Sequence, residues 1–185
     1  MPGELTSQTI TLNLSYHRKM RVWLGELPPL EYPVVDSVER TLKAIKSQID
    51  NRKYAAVEMF IPKGGRAIYG LLGAQFQPEL SQEILVKVAV SGTATQQQDW
   101  LLASRLDRTY MGLPSEYCHS VLSGSLTAAE ILGSGLLHIN CAAYGEVSSS
   151  PRIFNQLAST IVKLLASNIQ SVLDSEITAI VEANF

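Results

Sequence analysis

Alternating apolar and polar positions predict the strands of this protein. In a half-buried strand every second side chain faces the core, so Thr, Ile, Leu and Val recur with a period of two. This pattern, together with short apolar runs bounded by Gly or Pro, predicts strands at residues 8–14, 53–62, 66–76, 83–92 and 135–145. Residues 24–33 contain Pro28, Pro29 and Pro33, which exclude regular structure there because proline fixes φ and lacks a backbone N–H.

Apolar residues three or four positions apart predict the helices. The first predicted helix covers residues 34–50, where Val38, Leu42, Ile45 and Ile49 would share one face. A stripe of this kind is typical of an amphipathic helix that packs one face on a sheet.

Two further helical regions are predicted in the C-terminal half. One covers residues 115–132, with Ser115 as its N-cap. The other begins at Pro151, because proline is favoured at the first helical position and Ser150 before it is a good N-cap residue. Its apolar stripe runs nearly to the C-terminus, which is more than a small sheet needs. The helix therefore either breaks and folds back, or its tail docks on a second copy of the chain.

Helices interspersed with runs of adjacent strands indicate an α+β fold, a two-layer sandwich with helices on one face of a largely antiparallel sheet. A chain of 185 residues fits one domain. Within the single domain 1–185 we distinguish an N-terminal strand and helix extension (1–52), a core (53–166) and a C-terminal helical tail (167–185).

Composition and charge exclude several functional classes. The chain is 46% hydrophobic and 17% charged, which argues for a packed core and against disorder. A net charge of −2 argues against a protein that mainly coats nucleic acid, since phosphate neutralisation needs a basic surface. Two cysteines and three histidines without a repeated spacing predict no disulfide framework and no metal site, and we expect no cofactor. The lack of a leader or a long apolar run predicts a cytoplasmic protein without a membrane span.

The segment IPKGGRAIYG, residues 61–70, contains the first candidate site, for RNA or another anion. Gly64 and Gly65 could place consecutive backbone N–H groups around a phosphate, with Lys63 and Arg66 beside it. The Arg66 guanidinium could bind two phosphate oxygens at once. The alternative is a hairpin turn that needs positive φ at the glycines and leaves both basic side chains in solvent.

A second candidate site lies on the predicted strand 135–145. His138 and Asn140 alternate with apolar residues and are expected to share the face opposite them, with Tyr144 further along the strand. They would form either a polar ligand pocket on the open face of the sheet or an ordinary solvated face. The sequence contains no evident acidic pair or nucleophile–base arrangement, which favours a protein that is not an enzyme.

Three motifs taken together resemble domain IV of elongation factor G, the translocase. They are GGRAIYG (64–70), PSEYCHSVLSG (114–124) and VSSSPRIF (147–154), and they follow the order of that family. The positions that match are Gly64, Gly65, Arg66, Tyr69, Gly70, Pro114, Glu116, Tyr117, Val121, Gly124, Val147, Ser149, Ser150 and Phe154, and those that differ are Ala67, Ile68, Ser148 and Pro151.

The resemblance implies a left-handed β-α-β crossover and a non-catalytic, stand-alone module that binds the ribosome, RNA or a protein partner. Residues 63–66 would form one ribosome-facing loop. The companion loop, residues 144–147, is shorter than that of the family, and Glu146 would face RNA with an unfavourable charge. The same fold could instead carry a small-molecule site on the sheet face, in a binding protein or an enzyme.

Overall fold

A computed structural model describes residues 7–92, 98–167 and 174–185. The strands are β1 (Gln8–Asn13), β2 (Lys19–Leu24), β3 (Val34–Lys43), β4 (Lys53–Lys63), β5 (Arg66–Pro78), β6 (Glu83–Ser91), β7 (Thr109–Met111) and β8 (Gly135–Gly145), and the helices are α1 (Ser115–Leu126), α2 (Pro151–Ala166) and α3 (Asp174–Glu182). All eight strands belong to one sheet, and the helices pack on one of its faces. The fold is therefore α+β with sandwich architecture, as predicted. Within the described ranges, no helix has the length and apolar character needed to span a membrane.

The strand order is β1-β2-β4-β5-β8-β6-β3, with β7 added alongside one end of β8. All pairs are antiparallel except β6 and β8, whose connection contains α1. Parallel neighbours require a crossover of this kind, because a tight hairpin reverses strand direction. β1 and β3 are the two end strands of that order, and the short β7 pairs with β8 alone.

The main core lies between the sheet and the helices. Alternate residues of the central strands belong to it, among them Val57 and Leu72, and Phe154 of α2 is fully buried in the same cluster. Gly124 allows α1 to cross close to α2, because a Cβ at this position would overlap the backbone carbonyl of Asn155. A smaller apolar cluster, which includes residues of the 98–108 segment, forms separately from this core.

The predicted helix at residues 34–50 is wrong, because residues Val34–Lys43 form the edge strand β3. Val38 and Leu42 lie four positions apart, a spacing that places two residues on one face of a strand as well as on one face of a helix. β-branched residues favour the strand, and an edge strand can keep charged side chains in water.

The predicted helix at residues 115–132 is too long. α1 ends at Leu126 and is followed by a separate 3₁₀ turn, Ala129–Leu132. Its N-cap position is occupied by Pro114, whereas Ser115 is the first helical residue. Proline lacks a capping hydroxyl, and α1 has no side-chain cap hydrogen bond.

The C-terminal region consists of two helices, with α2 ending at Ala166 and α3 beginning at Asp174. Ser150 and Pro151 take the predicted N-cap and first helical positions, although the Ser150 side chain makes no capping hydrogen bond. α3 buries apolar side chains against the core, so the tail folds back on its own chain. Docking on a second copy through this tail stays a prediction.

Candidate functional site

The β4–β5 hairpin extends beyond its neighbouring strands. β2 pairs with β4 only as far as Phe60, and β8 pairs with β5 only from Leu71 onward. Gly64 and Gly65 form the turn, with φ angles of 50° and 78°. Positive φ at both central residues is the type I′ pattern, which matches the twist of the flanking strands.

The turn conformation by itself explains the two glycines. A Cβ at Gly64 or Gly65 would meet no atom within 4 Å, so no close approach of another group requires glycine there. Lys63 and Arg66 lie opposite each other on the two strands, and both are exposed. This is the geometry of the hairpin alternative, and anion binding at these residues stays a prediction.

The hairpin shares a cleft with two loops that are distant in sequence. The cleft has a volume of about 630 Å³ and is lined by Pro62, Gly65, Arg66, Ala67, Leu106, Asp107, Val147 and Ser148. Leu106 is 72% exposed and Val147 is 84% exposed, so the cleft presents apolar as well as basic groups. We call the surface formed by residues 61–68, 105–108 and 145–148 the tip.

Asp107 holds the 145–148 turn in place. Its Oδ2 accepts hydrogen bonds from the backbone N–H of Val147 (3.0 Å), from the backbone N–H of Ser148 (2.8 Å) and from the Ser148 hydroxyl (2.6 Å). Burial opposes ionisation of Asp107, but the hydrogen bonds outweigh it and keep the pKa of this carboxyl below its ordinary value. The Asp107 side chain is therefore ionised, and its hydrogen bonds stabilise the 145–148 turn.

Ser149 connects the same turn to β5. Its hydroxyl accepts a hydrogen bond from the Gly145 N–H (2.9 Å) and donates one to the Tyr69 carbonyl (2.8 Å). The Tyr69 N–H in turn donates to the Ser148 carbonyl (3.0 Å). The loop before α2 is thus fastened to the strand that carries the glycine hairpin.

The basic side chains of the tip have no acidic partner in it. Lys63, Arg66, Arg105 and Arg108 are exposed, and none forms an ion pair with another residue of the described ranges. Glu146 is also exposed, and its backbone N–H donates to the Arg108 carbonyl (2.9 Å). Judged against the described part of the chain, the tip therefore offers a ligand four cations without an ion-pair partner, beside the exposed carboxylate of Glu146.

Tyr69 connects the tip to a buried ion pair that the sequence analysis missed. The fully buried Glu58 accepts hydrogen bonds from Arg21 Nε (2.8 Å), from the Tyr69 hydroxyl (2.9 Å) and from the Leu102 N–H (2.7 Å). Burial raises the pKa of Glu58, although these donors oppose the rise, and burial with the adjacent carboxylate places the pKa of Tyr69 well above its ordinary value. Arg21 and Glu58 are cross-strand neighbours, a contact that depends on the β2–β4 register.

Tyr144 lies on the opposite face of the sheet from His138, so the predicted shared face of His138, Asn140 and Tyr144 is wrong. Asn140 is an extra residue in a β-bulge of β8 against β5, and a shift of one position reverses the facing of the residues beyond it. Tyr144 consequently lies on the helix side, with its ring centroid 6.2 Å from that of Tyr117. His138 is half-buried on the other side, where its Nδ1 lies 3.4 Å from Gln75 Nε2.

His138 belongs to a polar row that crosses the open face of the sheet. Gln75 and Lys87 are its neighbours in β5 and β6, and Glu39 follows Lys87 in β3. Burial and the Lys87 ammonium lower the pKa of His138. Asn140 Oδ1 is buried and has no hydrogen-bond partner in the described part of the chain. The row offers donors and acceptors, but it lacks the tyrosine expected to complete a pocket.

Neither a metal site among the described residues nor a similarity to known proteins helps to assign a function to the tip or to the polar row. Residues 7–92, 98–167 and 174–185 include no group of three or more His, Cys, Asp and Glu side chains that could hold a metal ion. No protein-family model, characterised protein or solved structure matches the chain. The geometry of the tip therefore carries the functional argument.

Proposed function

We propose that this chain is a binding module that contacts folded RNA, such as that of the ribosome, through the tip. One observation carries the proposal: Arg66 lines the cleft, Lys63, Arg105 and Arg108 are sequence neighbours of lining residues, and all four are exposed without an ion-pair partner among the described residues. Such cations bind phosphate without first breaking an internal ion pair.

The remaining groups of the tip suit an RNA ligand. The Arg66 guanidinium can hold two phosphate oxygens. The exposed Leu106 and Val147 side chains provide apolar surface for a sugar or an unstacked base. Asp107 lines the cleft and stays ionised, but its carboxylate is engaged by the 145–148 turn through three hydrogen bonds. Asp107 and Glu146 are the two acidic groups among the described residues of the tip, and its four cations outnumber them.

The proposal retains the resemblance to domain IV of elongation factor G, with its left-handed β-α-β crossover. The parallel β6–β8 pair, with α1 in its connection, supports a crossover at this point. Motif residues also have structural roles that fit the resemblance, since Gly64 forms the hairpin turn, Gly124 allows the α1–α2 contact and Ser149 fastens the second loop. A ribosome-binding role would place the protein in the cytoplasm.

Co-sedimentation with purified ribosomes over a salt series tests the proposal. We expect retention at low salt and release as salt rises, because phosphate binding displaces counterions. Arg66→Ala should weaken retention and reduce the salt slope by about 1, the value for one lost phosphate contact. Arg40→Ala is the matched control, because Arg40 is an exposed cation on the edge strand β3 and lies outside the tip.

Two results would contradict this function. One is an absence of co-sedimentation at low salt, and the other is an equal effect of Arg66→Ala and Arg40→Ala. Binding to poly-glutamate as tight as binding to RNA would assign the tip to an acidic protein partner instead.

A further inference from the structure

The two edges of the sheet differ in how they are protected against another strand. β3 has a bulge between Val34 and Asp36 and is rich in charge, and both features hinder further pairing. Its charged residues are Asp36, Glu39, Arg40 and Lys43. β1, with the sequence QTITLN, has no charge, no proline and no bulge. Within the described ranges it pairs with β2 alone, so about half of its backbone N–H and C=O groups face a free edge.

We propose that the free edge of β1 pairs with β1 of a second copy of this chain, antiparallel and with Thr11 opposite its own counterpart. A two-fold axis normal to the sheet keeps equivalent faces on the same side, so residues opposite each other must share a face. In this register Ile10 lies opposite Leu12, and Thr9 lies opposite Asn13.

The side chains of β1 fit this register on both faces. Ile10 is buried and Leu12 is half-buried at the rim of the helix-side core, and each would cover the other across the new ladder. Thr9, Thr11 and Asn13 are exposed on the other face, where they would form an uncharged polar row. Apolar residues thus meet apolar residues, and polar residues meet polar residues.

The charge distribution also favours a second copy as the partner. The nearest cations are two residues of β2: Arg21, which lies opposite Thr11 and is neutralised by Glu58, and the exposed Lys19, which lies opposite Asn13 and is further from the axis. Arg21 and its counterpart would lie three strand spacings apart, about 14 Å. That separation exceeds the screening length of about 8 Å at physiological salt. β1 has no charge to attract a charged strand from another protein, whereas two copies of it meet without repulsion.

The dimer would not compete with the tip for the same surface. The two-fold axis reverses the strand direction, so the two tips would point to opposite ends of one continuous sheet. Both clefts would stay open, and self-association can therefore be tested separately from RNA binding.

Sedimentation velocity over a concentration series tests the dimer. Thr11→Lys places two ammonium groups opposite each other at the axis, and we expect the dimer dissociation constant to rise by about tenfold or more. Thr11→Glu should act in the same way. An equimolar mixture of the two variants should regain the wild-type affinity, because Lys then faces Glu. Thr41→Lys on β3 is the control at the other edge and should leave the dimer unchanged.

Hydrogen exchange on the wild-type chain gives a second test that needs no variant to fold. The β1 amides should gain protection as concentration rises through the dimerisation range. A monomer at all concentrations up to about 1 mM would overturn the proposal. A dimer that survives Thr11→Lys, or one in which α3 rather than β1 gains protection, would also overturn it.

Discussion

The Asp107 carboxylate accepts two hydrogen bonds from Ser148, one from its backbone N–H at 2.8 Å and one from its hydroxyl at 2.6 Å. With the bond from Val147, this contact joins the 105–108 segment to the turn that precedes α2. One side chain therefore sets the distance between two of the three segments of the tip.

We expect Asp107→Asn to lower the free energy of unfolding by about 1 kcal/mol at neutral pH, because an amide accepts these hydrogen bonds less strongly than a carboxylate. The folded-state pKa of Asp107 lies below its ordinary value of about 4. Its contribution is therefore complete above about pH 4 and is lost as the pH falls through the folded-state value. Urea denaturation of both proteins should show a difference that shrinks in acid.

Asp50→Asn is the control for the Asp107 prediction, because Asp50 is exposed and lies in the loop before β4. It should change the stability by less than about 0.5 kcal/mol. A difference between wild type and Asp107→Asn that stays constant from neutral pH to about pH 3 would contradict the assigned role.

Removal of the Arg21 guanidinium should lower the free energy of unfolding strongly. Arg21→Met leaves the Glu58 carboxylate buried without a charge partner, so we expect a loss of about 3–5 kcal/mol in denaturant melts. Glu58→Gln in the same chain keeps an acceptor for the Tyr69 hydroxyl and removes the orphaned charge. The double variant should therefore be more stable than Arg21→Met.

Lys87→Met is the control for that pair, since the Lys87–Glu39 ion pair (2.9 Å) joins side chains that are 38% and 41% exposed. We expect a change of no more than about 1 kcal/mol. If the Arg21 and Glu58 substitutions were simply additive in a double-mutant cycle, the two groups would not be coupled.

The hairpin turn predicts different outcomes for two substitutions of the same glycine. Gly64→Ala should lower the stability by about 1 kcal/mol, because alanine is strained at positive φ although its Cβ has open space. Gly64→Asn creates the Asn-Gly sequence that type I′ turns prefer and should cost less. Thermal melts of the two variants check this, and equal losses would show that φ does not select the residue.

The crossing of α1 and α2 should not tolerate a side chain at Gly124. A Cβ there overlaps the Asn155 carbonyl, so the helices must separate, at an expected cost of about 2 kcal/mol in spite of the better helix propensity of alanine. Ser123→Ala, one position earlier and exposed, serves as the control and should be nearly neutral. A Gly124→Ala variant as stable as wild type would mean that the two helices can move apart freely.

Periodicity located the strands that have one face in the core. The prediction of residues 53–62 corresponds to β4, and that of residues 83–92 corresponds to β6. Periodicity failed for β3. The spacing of Val38 and Leu42 fits both the helical and the strand period, and the charged residues of this edge strand resemble the polar face of a helix.

The candidate site was only partly accessible to sequence reasoning. The Gly64–Gly65 pair indicated a hairpin turn, because the requirement for positive φ is local. The 105–108 segment was not predicted as part of the site, since it shows no periodic pattern and its Leu106 and Asp107 line a cleft with the hairpin only in the folded chain. The bulge at Asn140 was also not predicted, and it places Tyr144 on the helix side of the sheet.

Local pattern thus sufficed for most strands, for the turn at Gly64 and for the start of α2, because each depends on the φ, ψ and side-chain preferences of a few neighbouring residues. Tertiary structure decided the strand order, the buried contact of Arg21 with Glu58 and the approach of Asp107 to Ser148. These depend on which distant segments share the same core, and burial of a charge becomes favourable only when its partner is brought to it by the fold.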